Sequence, residues 1–328
     1  MTRHGCMSGA ILLLLLLLIL PASASGNVRY VYNGFWDGTA GAGAFDNPLG
    51  LTVWLDDTVY VVDAGNGRVQ RFQPDGFFVE AWGVRGSGPG ELQNPVDIAV
   101  APNGDAYITD AGDDRVQRHA AGGILLLEWG GHGSGPGQFD EPAGIAVHED
   151  VTQTLVYVAD RYNHRIQVFD QDGDYLREWG EGGDAPGEFD QPDGVAVDAV
   201  GNVYVADTFN HRVQKFSSDG TVLAVWGSEG SAPGQFDLPE NVAVDGAGNI
   251  FVVDSNNRRV QKLDSSGTLV AVWGTSGQGP GQFTAPYGLA VDSVGRVYVA
   301  DASLERVQLF RPVSAASLRW LPVLVARY

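Results

Sequence analysis

Residues 203–216 read VYVADTFNHRVQKF. Residues 156–169 read VYVADRYNHRIQVF, and residues 297–310 read VYVADASLERVQLF. Looser copies stand at 59–72 (VYVVDAGNGRVQRF), 106–119 (AYITDAGDDRVQRH) and 250–263 (IFVVDSNNRRVQKL). The aspartates that end the first part of each copy, Asp63, Asp110, Asp160, Asp207, Asp254 and Asp301, are spaced by 47, 50, 47, 47 and 47 residues. A repeat of this length carrying four short strand signals is the mark of propeller blades.

Residues 192–236 show one unit in full. PDGVAVD is a short apolar strand, AVGN a turn, VYVAD a second strand, TFNH a loop, RVQKF a third strand, SSDG a turn, and TVLAVWG a fourth. Apolar and aromatic residues alternate with period two, as on a pleated sheet, and no helical period intervenes. The sixth unit stops at Phe310 without a fourth strand. The segment VRYVYNGFWDGTAGAGAFDNP near the start matches that missing strand and its exit loop, with Trp36 in the place of Trp82, Trp129, Trp179, Trp226 and Trp273. The expected fold is therefore all-β: a six-bladed β-propeller of four-stranded antiparallel blades, closed by the N-terminal strand. Closure removes the exposed sheet edges that invite aggregation.

The strings NHRVQKF, GVAVDAVGNVYVAD and WG…PGQF…P resemble NHL repeats in all six units. The resemblance implies a six-bladed propeller. Its wider kin include binding domains as well as lyase and lactonase propellers, so it implies no one activity.

The chain has 328 residues and a formal charge of −20. Such a surface repels phosphate backbones, so no nucleic-acid partner is expected. The segment MTRHGCMSGAILLLLLLLILPASASG has a basic residue, an apolar run over Ile11–Leu20 and the small residues Ala22-Ser23-Ala24. This is the pattern of a cleaved secretory signal. The expected layout is a signal peptide over 1–24, the propeller over 25–310, and a tail of unassigned role over 311–328. The expected location is secreted or extracytoplasmic, with no membrane insertion after cleavage. The single cysteine, Cys6, falls within the leader, leaving the remainder without thiol chemistry.

Features present in every blade read as scaffold. The Asp/Arg pairs five residues apart (Asp207 and Arg212 and their five counterparts) read as loop fasteners, and the tryptophans as packing between blades. The GSGPG runs at 86–90 and 133–137 open no helix and so make no phosphate loop. DQDGD at 170–174 lies at an ordinary turn position and lacks a full calcium-loop spacing. His119, His132, His148, His164 and His211 fall at different blade levels, so three of them do not meet on one zinc. No cofactor or metal is expected.

Residues that break the repeat on one face carry more information. The residue after each strand-opening proline includes Asp193, Glu240 and Tyr287, and Asp97 follows one position later. The loop between the second and third strands brings Arg161, Tyr162 and Phe209 to the same face. These seven residues are the expected binding site, at one mouth of the central channel. The leading reading is a non-enzymatic binding propeller for a protein, peptide or carbohydrate partner. The alternative is a metal-dependent lyase or lactonase with its site in the channel. As rim residues, the seven are expected to be replaceable at little cost to stability.

Overall fold

The computed structural model describes residues 28–39, 43–150 and 152–314. The expected leader, and the tail beyond 314, lie outside the described residues. Among the described residues twenty-four strands form six four-stranded sheets, each a meander. The fourth blade is typical, with β14 (Pro192–Val197), β15 (Val203–Asp207), β16 (Arg212–Phe216) and β17 (Val222–Trp226) in spatial order. All its pairings are antiparallel. The only helical elements among the described residues are four single 3-10 turns, at Ala64–Asn66, Arg161–Asn163, Thr208–Asn210 and Ala302–Leu304. No helix there is long and apolar enough to cross a membrane.

The sixth blade closes as the repeat requires. β1 (Val28–Trp36) lies outermost against β24 (Arg306–Ser314), in the order β1-β24-β23-β22. Val28 pairs with Ser314 and Trp36 with Val307. The last strand thus runs four residues past Phe310, and the propeller ends inside the segment expected to be tail. Tyr30 stacks on Trp273 of the fifth blade at 4.3 Å, and Trp36 packs against Tyr298 at 5.7 Å and Phe72 of the first blade at 5.9 Å. Between other blades the same position repeats the contact, Trp129 on Phe169 at 5.7 Å and Trp179 on Phe216 at 5.7 Å.

The Asp/Arg pairs do fasten loops. Asp207 is fully buried and accepts from Arg212 Nε at 2.6 Å, from Asn210 and Gln214 side chains, and from the backbone N–H of Asp190. Arg212 turns Nη2 to the carbonyls of Ala185 and Glu188, and Nη1 to that of Asp184, in the preceding exit loop. In the second blade Arg115 does the same to Gly88 and Glu91. The GSGPG loop therefore offers its carbonyls inward to a guanidinium, the reverse of a phosphate cradle. At 170–174 the Asp170 carboxylate is taken by the backbone N–H groups of Asp172 and Asp174, an Asx turn. The sixth blade departs from the pattern. Arg306 reaches the carbonyls of Gly279 and Gln282 and lies 5.3 Å over the Phe35 ring, without an ion pair to Asp301 among the described residues. The turn there reads Ala-Ser-Leu, and no asparagine helps hold the aspartate in place.

The first strand of every blade is innermost. Together β2 (Pro48–Val53), β6 (Pro95–Val100), β10 (Pro142–Glu149), β14, β18 (Pro239–Val244) and β22 (Pro286–Val291) enclose a central channel of about 270 Å³.

Candidate active site at the channel mouth

Each inner strand begins with proline at the same end of the channel. Two residues on stand Gly50, Gly144, Gly194 and Gly288 in four blades, with Asp97 and Asn241 in the other two. The glycines are required by crowding: a Cβ on Gly144 would stand 2.3 Å from the carbonyl oxygen of Asp193, and one on Gly194 would stand 2.6 Å from the Asn241 Cα. Neighbouring inner strands therefore touch at this level and narrow the channel. Gly50 makes room for a side chain instead, since its Cβ would fall 2.1 Å from Asp97 Oδ1.

Above this constriction the non-repeating residues converge. In two blades the residue after the strand-two aspartate ties its turn to the next blade. Thr208 Oγ1 donates to the Pro239 carbonyl at 2.9 Å, and Ser255 Oγ donates to that of Pro286 at 2.9 Å. In the third blade this position is Arg161, whose longer arm reaches two blades. Its Nη2 donates to Asp193 Oδ2 of the fourth blade at 2.7 Å and to the Tyr287 hydroxyl of the sixth at 3.2 Å. Tyr287 in turn donates to Asp193 Oδ1 at 2.8 Å. Third and sixth blades stand opposite one another, so this triad spans the mouth. Tyr287 also packs against the apolar cluster of the second, third and fourth blades.

Two further carboxyls complete the site. Glu240 has its pKa pushed up to about 7, first by burial and then by the charge of Asp193, while the Ser255 hydroxyl and two arginines draw it down. Asp97 is also pushed up to about 7, chiefly by burial, although it accepts the Ile145 N–H at 3.1 Å. The neighbouring Asp193 charge holds Arg161 more firmly protonated, and burial raises the Tyr287 hydroxyl well above its usual value. One fixed ion pair thus lies beside two carboxyls poised near neutrality, the arrangement that proton transfer at pH 7 uses.

Of the seven sequence candidates, Asp97, Arg161, Asp193, Glu240 and Tyr287 meet at the mouth. Tyr162 and Phe209 do not join them. Their rings are 43% and 47% exposed, on turns of neighbouring blades. Asp97 and Asp193 are only 6% and 5% exposed, so they are not the freely replaceable rim residues expected. Thr109 belongs to the site as well. It is buried, donates to the Ala143 carbonyl at 2.6 Å and accepts the Asp97 N–H at 3.0 Å. Its signal was AYITD, where sister strands place valine or alanine.

The channel metal implied by the lyase-type kin does not fit these residues. Asp193 already spends both oxygens on Arg161 and Tyr287. No histidine lines the channel among the described residues. His164 and His211 stand at turn ends, each with Nδ1 accepting a backbone N–H, from Gln191 and Leu238.

No curated protein sequence matches the chain significantly. A family model described as the SMP-30/gluconolactonase/LRE-like region matches residues 86–233, the second to fourth blades. Among solved structures the chain is similar to a Xanthomonas campestris gluconolactonase, with TM-score 0.62, 16% identity, and 90% of this chain and 97% of that one covered. It is similar to a streptogramin B lyase, with TM-score 0.59, 13% identity, and 88% and 98% covered. It is also similar to a chain of a nidogen/laminin complex, with TM-score 0.57, 17% identity, and 80% and 98% covered. The likeness to NHL repeats accordingly resolves into a six-bladed propeller, half of whose blades match the SMP-30/gluconolactonase/LRE-like model.

Proposed function

We propose that the protein is a propeller enzyme of the lactonase or lyase type, opening a cyclic ester at the channel mouth. The observation that carries this reading is Glu240, a half-buried carboxyl beside Asp193 and Arg161 with its pKa pushed up to about 7. The matches to lactonase and lyase propellers favour this alternative over the non-enzymatic scaffold.

The chemistry follows from the two carboxyls. Ionised Glu240 takes a proton from water as the water oxygen bonds to the lactone carbonyl carbon. The Arg161 guanidinium stabilises the negative charge that develops on the carbonyl oxygen. The ring C–O bond then breaks, and protonated Asp97 gives its proton to the departing alkoxide. Asp193 and Tyr287 hold Arg161 in place. The test is ring opening of five- and six-membered lactones followed by acid release. Glu240→Gln should lower the rate about 100-fold or more, the usual scale of general-base catalysis. Absence of ring opening by the wild type across the panel overturns the reading.

A second reading is favoured by Tyr162 and Phe209. Two exposed rings beside a polar mouth suit docking of a sugar or peptide. Loss of binding in Tyr162→Ala, with no turnover of any lactone by the wild type, would select it. We propose an extracytoplasmic setting for either role, tested by a mature chain beginning near Ser25 in mass spectrometry.

A further inference from the structure

Away from the mouth, a second constellation stands where the second and third blades adjoin. Asp114, His132 and Asp140 each place one ligand atom within 4.8 Å of the other two. They come from separate segments. Asp114 ends the turn after β7 (Ala106–Asp110), at a left-handed φ of +51°. His132 follows β9 (Ile124–Gly130), and Asp140 follows the buried Phe139.

The propeller supplies a built-in comparison. At the Asp114 position the third and fourth blades carry His164 and His211, whose Nδ1 accepts the next loop's N–H. In the second blade Asp114 performs that duty with Oδ1, which accepts the Glu141 N–H at 2.8 Å. A carboxylate has a second oxygen. Asp114 Oδ2 is left over and stands 3.1 Å from His132 Nδ1. That separation is what two ligands about 2.0–2.2 Å from one ion show across a coordination edge. The backbone bond aims the carboxylate, as outer partners of metal ligands do. The Asp140 carboxylate makes no hydrogen bond or ion pair among the described residues. The counterpart aspartates, Asp190 and Asp237, each stand 3.7 Å from a histidine Nδ1.

We propose that Asp114, His132 and Asp140 bind a divalent first-row transition ion, with Zn²⁺ the best match. One imidazole and two carboxylates suit zinc or manganese, whereas calcium takes six to eight oxygens. His132 is largely exposed, so water completes the coordination. The site is also coupled to the mouth. The Asp140 carbonyl accepts the Tyr162 N–H at 3.2 Å, so an ion there ties the exit loop of the second blade to the turn that carries Arg161.

The experiment titrates Zn²⁺ into chelator-stripped, tag-free full chain by calorimetry, alongside Ca²⁺. One Zn²⁺ per chain is expected, with affinity at least tenfold lower in Asp114→Asn, His132→Ala and Asp140→Asn. His164→Ala should bind as the wild type does. The Co²⁺ form should show a visible absorption band that His132→Ala changes. His132 is a surface side chain, so that variant folds and keeps the test decisive. Unchanged Zn²⁺ affinity in His132→Ala, no Zn²⁺ uptake by the wild type, or Ca²⁺ bound as tightly as Zn²⁺ overturns the proposal.

Discussion

The Tyr287 hydroxyl donates to Asp193 Oδ1 at 2.8 Å from across the channel, 94 residues away in sequence. The bond lets one aspartate serve a phenol and a guanidinium together, and it makes Asp193 a structural as well as a chemical residue. Asp193→Ala would leave Arg161 in a largely buried site without its counter-charge. Breaking a buried pair costs about 3–5 kcal/mol, and the partial exposure of Arg161 brings the expected loss to about 2–3 kcal/mol. A urea titration of Asp193→Ala, Arg161→Ala and the double variant measures the coupling, which should exceed about 1 kcal/mol.

Glu240 and Asp97 give the fold a pH signature. Both hold protons in the folded chain at pH values where the unfolded chain has lost them. Each therefore contributes stability that is fully present below about pH 4 and is lost as pH rises towards about 7. Replacing Glu240 with Gln removes one of these slopes. Glu240→Gln should show a flatter melting temperature between pH 4.5 and 8, and should melt above the wild type at pH 8. Activity should instead peak near pH 7, rising as Glu240 ionises and falling as Asp97 loses the proton it donates.

Asp207→Ala tests the scaffold. Four donors converge on this carboxylate, from Arg212, Asn210, Gln214 and the backbone of Asp190. Its loss strands a guanidinium that is only 10% exposed, at an expected cost of about 3–5 kcal/mol. Thermal unfolding should register the change, while kcat of the molecules that stay folded should hold within about twofold.

Closure is tested at Tyr30. The ring is 9% exposed, stacks on Trp273 and sits edge-on to Phe251 at 5.9 Å. Tyr30→Ala should cost about 3–5 kcal/mol, as other buried aromatic truncations do. Deleting residues 28–36 should lower the melting temperature further and promote association through the bared edge of β24.

Much of this was legible in the repeat. Six copies with one missing strand and one spare strand leave a single way to close the ring. Asp97, Asp193, Glu240 and Tyr287 stood out because they break a pattern that the other blades keep. What the repeat could not show was reach. Only the folded ring shows that Arg161 crosses from the third blade to the sixth, or that Tyr162 and Phe209 stay in solvent. The Asp114, His132 and Asp140 group was hidden for a chemical reason. A search for three histidines passes over a site in which one histidine meets two carboxylates. The failed Asp301–Arg306 pair was hidden too, because Arg306 lies over the Phe35 ring, which belongs to a strand from the other end of the propeller sequence.

The union of β1 with β24 also sets a clock on biosynthesis. After Trp36 leaves the ribosome, residues 37–314 must follow before β1 has its whole partner, a wait of roughly 15–55 seconds at about 5–20 residues per second. Through that interval Tyr30, Tyr32, Phe35 and Trp36 travel on an unmatched strand while five blades are translated. A newly made chain is thus most vulnerable at its oldest end, and a holdase that shelters that segment would raise the yield of closed rings more than one acting on any middle blade.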